Sequence, residues 1–150
     1  MIQKVEKLKE IINQNSMGHL PLAYRVDLMK QVGDTRTVQK VFMFSITSSK
    51  GDIITLNTRN TDKICNAFRN IRELMYNKNS KQGAWFQVEM FLKSKAQYIL
   101  KFNYDNLEQI PSFFQKPDWL LEMFREYPRS KEYTPLWLRE IVGRRKLYLT

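Results

Sequence analysis

Two stretches of alternating apolar and polar residues lie close together in the middle of the chain, at Ala84–Leu92 and 97–104. Every second side chain is apolar in both: Phe86, Val88, Met90 and Leu92, then Tyr98, Leu100, Phe102 and Tyr104. A period of two is typical of a strand with one buried face. Because residues 93–96 alone separate the two stretches, we predict a β-hairpin whose apolar face needs a covering layer.

Two segments nearer the N-terminus have the spacing of amphipathic helices instead. The first helix is predicted at residues 3–14, where Val5, Leu8 and Ile12 continue an apolar stripe that begins at Ile2. The second follows a cap at Thr61, and its apolar stripe is Ile64, Phe68, Ile71 and Met75. Cys65 lies beside the second stripe, which favours a small buried hydrophobe over a nucleophile. Arg69 and Arg72 are expected to point outward into solvent.

Between these helices, the period of the apolar residues falls to two. Turn signals at Gly33-Asp34 and at residues 48–52 divide the region into three strands, near 22–28, 37–46 and 53–56. Since short connections favour antiparallel neighbours, we predict a three-stranded meander.

The last third of the chain has two helix starts. Asp118 can cap a helix that runs to Glu126 and stops at Pro128, and Thr134-Pro135 begins another. The predicted order is therefore α-βββ-α-ββ-α-α. It indicates an α+β fold, with helices packed on a five-stranded, mainly antiparallel sheet that combines the meander and the hairpin. A length of 150 residues fits a single globular domain over residues 1–150.

The charge of the chain is strongly positive but evenly spread. There are 25 Lys+Arg against 15 Asp+Glu, a net charge of +10, without a basic tail or block. Such a charge favours solubility and general attraction to anions over one specific nucleic-acid site. The N-terminal residues have neither a signal-peptide pattern nor a membrane span, so we expect a cytoplasmic protein without membrane contact.

Groups that could carry out chemistry are few and scattered. His19 has no second histidine or cysteine at ligand spacing, so neither a metal site nor a cofactor is expected. The sequence lacks a glycine-rich phosphate loop and a nucleophile elbow. These features predict a protein that is not an enzyme and that has no catalytic residues.

The acids of the first C-terminal helix need separate consideration. Asp118 and Glu122, and Glu122 and Glu126, are each one helical turn apart, as neighbouring acids are in glycosidases or metal-dependent nucleases. Arg125 and Arg129 are interleaved with them at ion-pair spacing. A solvated helix face is therefore the preferred interpretation.

The hairpin and the C-terminal third together resemble a known family. A strand that opens with Trp85, a short turn and the run Tyr98–Asp105 is similar to the hairpin of YezG-like immunity proteins, where a tryptophan strand precedes a strand ending in Tyr-Asp. Residues 124–129 and 133–138 resemble the Pro-Arg and Pro-x-Trp-Leu ending of small bacterial immunity proteins. The order of elements is similar over most of the chain, whereas the matching residues lie within 85–150.

This resemblance implies that the chain binds and silences one cognate toxin, often a nuclease, by covering the toxin's active site. We expect the binding surface where aromatic and charged residues mix, between Tyr104 and Arg129. The candidate partner-binding residues are Tyr104, Asp105, Glu108, Asp118, Glu122, Arg125 and Arg129.

Two other hypotheses stay open. The net positive charge suggests a nucleic-acid-binding module. In it Tyr98, Phe102 and Tyr104 would stack on bases beside Lys101, although a core face explains these aromatic residues more simply. The third hypothesis is an enzyme that uses Glu122 or Glu126.

Overall fold

The computed structural model describes residues 2–15, 22–32, 38–48, 51, 58–92 and 97–149. Its helices and strands are α1 Ile2–Asn15, β1 Leu22–Val32, β2 Val38–Ser48, α2 Thr58–Lys78, β3 Gln87–Leu92, β4 Tyr98–Asn103, α3 Pro117–Glu126 and α4 Leu136–Val142. Short 3-10 turns lie at Ser80–Gln82, Leu107–Gln109, Ser112–Phe114 and Lys131–Tyr133. The α+β class is confirmed.

The strands form an antiparallel sheet in the order β2-β1-β3-β4. β1 pairs with β2 along its whole length, but only its first part, residues 22–27, pairs with β3. Val26 stands opposite both Phe44 and Val88, and Val88 stands opposite Phe102. The register therefore aligns four apolar residues in one row across the sheet.

The expected five-stranded sheet is wrong, because the sheet in the described part of the chain has four strands. The predicted third meander strand, residues 53–56, and the predicted turn at Gly33-Asp34 lie outside the described residues. Local alternation indicates which segments are strands but not which strands pair. β1 is an inner strand that joins β2 to the hairpin through residues far apart in the sequence.

One face of the sheet packs against α1 and α2, and we call the result the first core. Its buried residues are Val5, Leu8, Val26, Ile64, Cys65, Phe68, Ile71, Trp85, Val88, Met90 and Leu92. The helical members recur every three or four residues and the members from β3 every second residue, so each element turns one apolar side inward. The half-buried Tyr98, Leu100 and Phe102 pack against the same core, as the alternation in β4 predicts.

A second core gathers the C-terminal elements. Its buried residues are Ala84, Phe86, Ile110, Phe114, Trp119, Leu120, Leu121, Met123, Phe124, Tyr127, Leu138 and Val142. Pro117 and Asp118 in the first turn suit the start of α3, because proline lacks an N–H that would be unpaired there and an acid is favourable at that end. α3 contributes five of the buried residues and also contacts β1, which ties the second core to the sheet.

Arg72 lies buried between the two cores, so the expectation that it points outward is wrong. Its guanidinium carbon is 5.6 Å from the ring centroid of Trp85 in the first core and 5.0 Å from that of Tyr127 in the second. Burial lowers the pKa of Arg72, whereas Tyr127, through a side-chain hydrogen bond, and the nearby acids Glu126 and Glu73 oppose this shift. The negative faces of the two rings also favour the cation. Helical spacing misplaces Arg72 because α2 is covered on two sides.

Gly83 and Gly51 have nearly the same backbone conformation but different surroundings, with φ of +85° and +84°. A Cβ on Gly83 would lie 2.8 Å from Cδ of Arg129, whereas a Cβ on Gly51 would meet nothing within 4 Å. Gly51→Ala should cost only the strain of a positive φ, about 1–2 kcal/mol. Gly83→Ala should cost about 2–4 kcal/mol, because Arg129 must also move.

The free energy of unfolding in urea measures both substitutions. Gly51→Ala is the control for backbone strain, so the difference between the two losses reports the collision with Arg129. Equal losses in the two variants would contradict the close approach of Arg129 to Gly83.

Candidate functional site

Arg129 is the centre of a hydrogen-bond network that joins distant parts of the C-terminal half. Its side chain is 3% exposed although it carries a charge. Nη1 donates to Oδ1 of Asp105 at 2.7 Å, and Nη2 donates to the carbonyl oxygen of Tyr104 at 2.9 Å. Nη1 also approaches the carbonyl oxygens of Gln82 at 3.3 Å and Tyr133 at 3.2 Å. One side chain thus binds the end of β4, the turn before β3 and the turn before α4.

The electrostatics of this network favour a buried cation. Burial lowers the pKa of Arg129, and the nearby carboxylate of Asp105 opposes this shift. A guanidinium keeps its proton even when its pKa falls, so Arg129 is charged at neutral pH. Asp105 keeps 61% of its side chain exposed, so the charge pair opens to solvent on one side.

The backbone on both sides of Arg129 is also fixed. Tyr76 donates from its hydroxyl to the carbonyl oxygen of Pro128 at 2.6 Å. The N–H of Ser130 donates to the carbonyl oxygen of Lys81 at 3.1 Å, and the N–H of Leu149 donates to that of Arg129 at 3.1 Å. These three bonds hold the segment between α3 and α4 to α2, to the turn at 80–82 and to the end of the chain.

The residues that follow are held by further side-chain bonds. Arg139 donates from Nε to the carbonyl oxygen of Thr134 and from Nη2 to that of Lys131, each at 2.8 Å. Trp137 donates from Nε1 to the carbonyl oxygen of Asp105, also at 2.8 Å. Residues 131–137 therefore keep a fixed shape without much buried surface of their own.

This fixed segment carries two large apolar side chains that face solvent. Tyr133 is 50% exposed and Leu136 is 70% exposed; among the described residues, Ile99 is the other exposed large hydrophobic. Exposed charged residues lie beside them, including Glu132 and Glu140. We call Asp105, Tyr133, Leu136 and Trp137 the C-terminal surface. Its mixture of exposed apolar groups and neighbouring charges is typical of protein-binding sites.

The structure brings together three of the seven predicted binding residues, namely Tyr104, Asp105 and Arg129. Arg129 is inside the protein, however, so it positions this surface and cannot contact a partner directly. Its predicted pairing with the acids of α3 is also wrong, because its carboxylate partner is Asp105. The chain leaves α3 before Arg129, so helical spacing does not apply there.

The other four predicted residues lie elsewhere on the surface. Glu122 and Arg125 bind each other on α3 at 2.5 Å, as the interpretation of a solvated helix face predicts. Glu108 is exposed in the turn at 107–109, and Asp118 is exposed in the first turn of α3. Among the predicted acids, Asp105 is the one whose contact with Arg129 the described residues show.

Sequence reasoning missed Tyr133 and Leu136 as surface residues. The apolar residues after Pro135 predict a buried side made of Leu136, Trp137, Ile141 and Val142, but the buried residues of α4 are Leu138 and Val142. These two are four positions apart, and Leu136 falls on the opposite side of a helix with 3.6 residues per turn. An apolar stripe drawn through Leu138 and Val142 therefore places Leu136 on the exposed side of the helix.

The described residues contain no group of three or more His, Cys, Asp or Glu able to hold a metal ion, and none of their helices is long and apolar enough to cross a membrane. His19 lies outside the described residues. Cys65 is fully buried in the first core, and this burial raises its pKa to about 12. Its thiol is therefore protonated at neutral pH and unsuited to nucleophilic attack.

Arg129→Met should destabilise the protein by about 3 kcal/mol, because the carbonyl oxygens of Gln82, Tyr104 and Tyr133 lose their donor. Asp105→Asn should cost about 1 kcal/mol, since Asp105 is largely exposed and the carbonyl acceptors remain. Urea unfolding measures both losses. If Asp105→Asn costs as much as Arg129→Met, the charge pair and not the carbonyl network holds this region.

Cys65 should react with a thiol reagent such as Ellman's reagent at least about 100-fold more slowly in the native protein than in the unfolded chain at mildly alkaline pH. The unfolded thiol has its ordinary pKa, whereas the native thiol is both protonated and covered. The measurement is the rate of absorbance change with and without denaturant. Rapid stoichiometric labelling of the native protein would contradict the buried position of Cys65.

No protein-family model matches the chain, and a search of curated protein sequences finds no match either.

Proposed function

We propose that this protein is an immunity protein that binds a cognate bacterial toxin domain and neutralises it by covering its active site. The observation that carries the proposal is the exposure of Tyr133 and Leu136 on a segment fixed by Arg129, Arg139 and Trp137. Binding by occlusion requires no reaction from this chain, so we do not assign it an enzymatic role.

A fixed surface suits tight binding for an energetic reason. Ordering a mobile loop on association opposes binding, at about 0.5–1.5 kcal/mol for each immobilised side chain. The bonds from Arg139 to the backbone of residues 131 and 134 already order this segment in the free protein. Tyrosine, tryptophan and well-packed apolar side chains then supply most of the affinity in typical interfaces.

The local charges suggest the type of partner. Glu132 and Glu140 are exposed beside the C-terminal surface, each next to a basic residue in the chain, Lys131 and Arg139, and the exposed Asp105 is paired with Arg129. The surface therefore carries both signs of charge in a chain with a net charge of +10. Its exposed acids can pair with basic groups at the active site of a nuclease, and charge complementarity speeds encounter. We propose a nuclease domain as the toxin, as the family resemblance implies, and the cytoplasm as the place of neutralisation.

The alternative hypothesis, a nucleic-acid-binding module, gains no support from β4. Tyr98, Leu100 and Phe102 pack against the first core, and so are not available together as a stacking platform. Lys101 lies on the other side of the strand, with its ammonium 5.5 Å from the ring centroid of Phe91. An exposed face that combines aromatic rings with cations is what base stacking requires.

The test is a rescue assay in cells that express the toxin domain encoded beside the gene of this protein. Co-expression should restore growth, and the two purified proteins should co-elute as a complex. Leu136→Glu should weaken binding by about 30-fold or more, because a charge would be buried at the centre of the interface.

Ile99→Glu is the matched control, because Ile99 is also a large exposed apolar residue, 43% accessible, but lies on β4 away from the C-terminal surface. It should change the affinity by less than about threefold. Absence of a toxin gene nearby, absence of rescue, or equal effects of the two substitutions would each contradict the proposal.

A further inference from the structure

A basic groove lies between α1 and α2, on the outer side of the first core. It has a volume of about 450 Å³ and is lined by Lys4, Lys7, Ile11, Lys63, Asn66, Ala67 and Asn70. In α1 the lining residues are three and four positions apart, and in α2 they are one, three and four apart, so one side of each helix faces the groove. No element of the C-terminal surface contributes to it.

The three lysines make the lining of the groove positive. Within the described part of the chain, none of the lining residues is a carboxylate. The acids of α1, Glu6 and Glu10, occupy positions outside the lining, and no ion pair in the described residues involves Lys4, Lys7 or Lys63. Three cations around one concave space attract an anion more strongly than separate surface lysines would.

The asparagines add oriented hydrogen-bond donors. Arg69 donates from Nη1 to Oδ1 of Asn66 at 2.7 Å. This bond leaves the NH₂ group of Asn66, which can only donate, available for another partner. The lining of the groove therefore includes three ammonium groups and amide donors, and such a set matches phosphate oxygens.

The volume of the groove and the apolar residues in its lining restrict the class of ligand further. A volume of about 450 Å³ is within the range of small-molecule sites, which is about 300–1,000 Å³. Ile11 and Ala67 add an apolar area beside the lysines. We propose that this groove binds a small organic diphosphate, whose two phosphate groups contact the lysines while its apolar or aromatic part rests on Ile11 and Ala67. This site is independent of the proposed toxin-binding surface.

Isothermal titration calorimetry with ADP, AMP and pyrophosphate as probes tests the proposal, at physiological ionic strength and without divalent metal ions. ADP should bind, AMP should bind about tenfold more weakly because it has one phosphate fewer, and pyrophosphate should also bind more weakly because it has no apolar part. The double substitution Lys7→Gln and Lys63→Gln should weaken ADP binding by about 20-fold or more.

Lys78→Gln is the control for the loss of a single charge, because it removes one positive charge from the far end of α2, about 22 Å along the helix from Lys63. It should change ADP affinity by less than about twofold. All these lysines are exposed, so the variants should fold, and thermal unfolding checks that they do. Lys4→Gln repeats the test at a third position.

Four results would overturn the proposal. These are no binding of ADP at millimolar concentration, an equal loss of affinity in Lys78→Gln, pyrophosphate binding as tight as that of ADP, and displacement of ADP by a single-stranded RNA that binds more tightly through the same lysines. The last result would assign the groove to nucleic acid instead.

Discussion

A buried guanidinium must keep its N–H groups hydrogen-bonded, because leaving a charged donor unpaired away from water costs several kcal/mol. Arg129 meets this condition by bringing the carbonyl oxygens of Gln82, Tyr104 and Tyr133 to one point, together with the carboxylate of Asp105. Three chain segments therefore have to meet around it in one arrangement. The close approach of Arg129 to Gly83 follows from the same requirement, since any side chain there would occupy the space of the arginine.

The two buried arginines serve different purposes. Arg72 lies against the faces of Trp85 and Tyr127 between the two cores, where Glu73 and Glu126 also favour its charge. Arg129 binds mainly to backbone carbonyl oxygens, whose positions depend on how each segment is folded. A planar fork of donors can therefore specify the relative positions of the three segments that meet at Arg129. The shape of the C-terminal surface thus depends on Arg129.

Local patterns in the sequence predict the helices near residues 3–14 and 118–126 and the strands of the hairpin, because each of these elements has one apolar side with a clear period. Strand pairing could not be predicted in this way. In the order β2-β1-β3-β4, β1 pairs with β3 although β2 and α2 lie between them in the sequence. The predicted positions of Arg72 and Arg129 on solvated helix faces are also wrong. A charge pattern within one helix contains no information on which other parts of the chain cover that helix. Asp105 was predicted as a binding residue, but its contact with Arg129 is long-range and has no local signal.

α2 connects the two proposed surfaces while keeping them apart. Its first half carries Lys63 and Asn66 of the basic groove. In its second half, Glu73 accepts a hydrogen bond from the hydroxyl of Tyr127, and Tyr76 donates one to the carbonyl oxygen of Pro128. Ten residues of helix separate Lys63 from Glu73, a distance of about 15 Å. Substitutions that far apart, without shared partners, normally have additive effects on stability. A single rigid helix can therefore support an anion site at one end and a protein-binding surface at the other, because neither site needs the other's side chains.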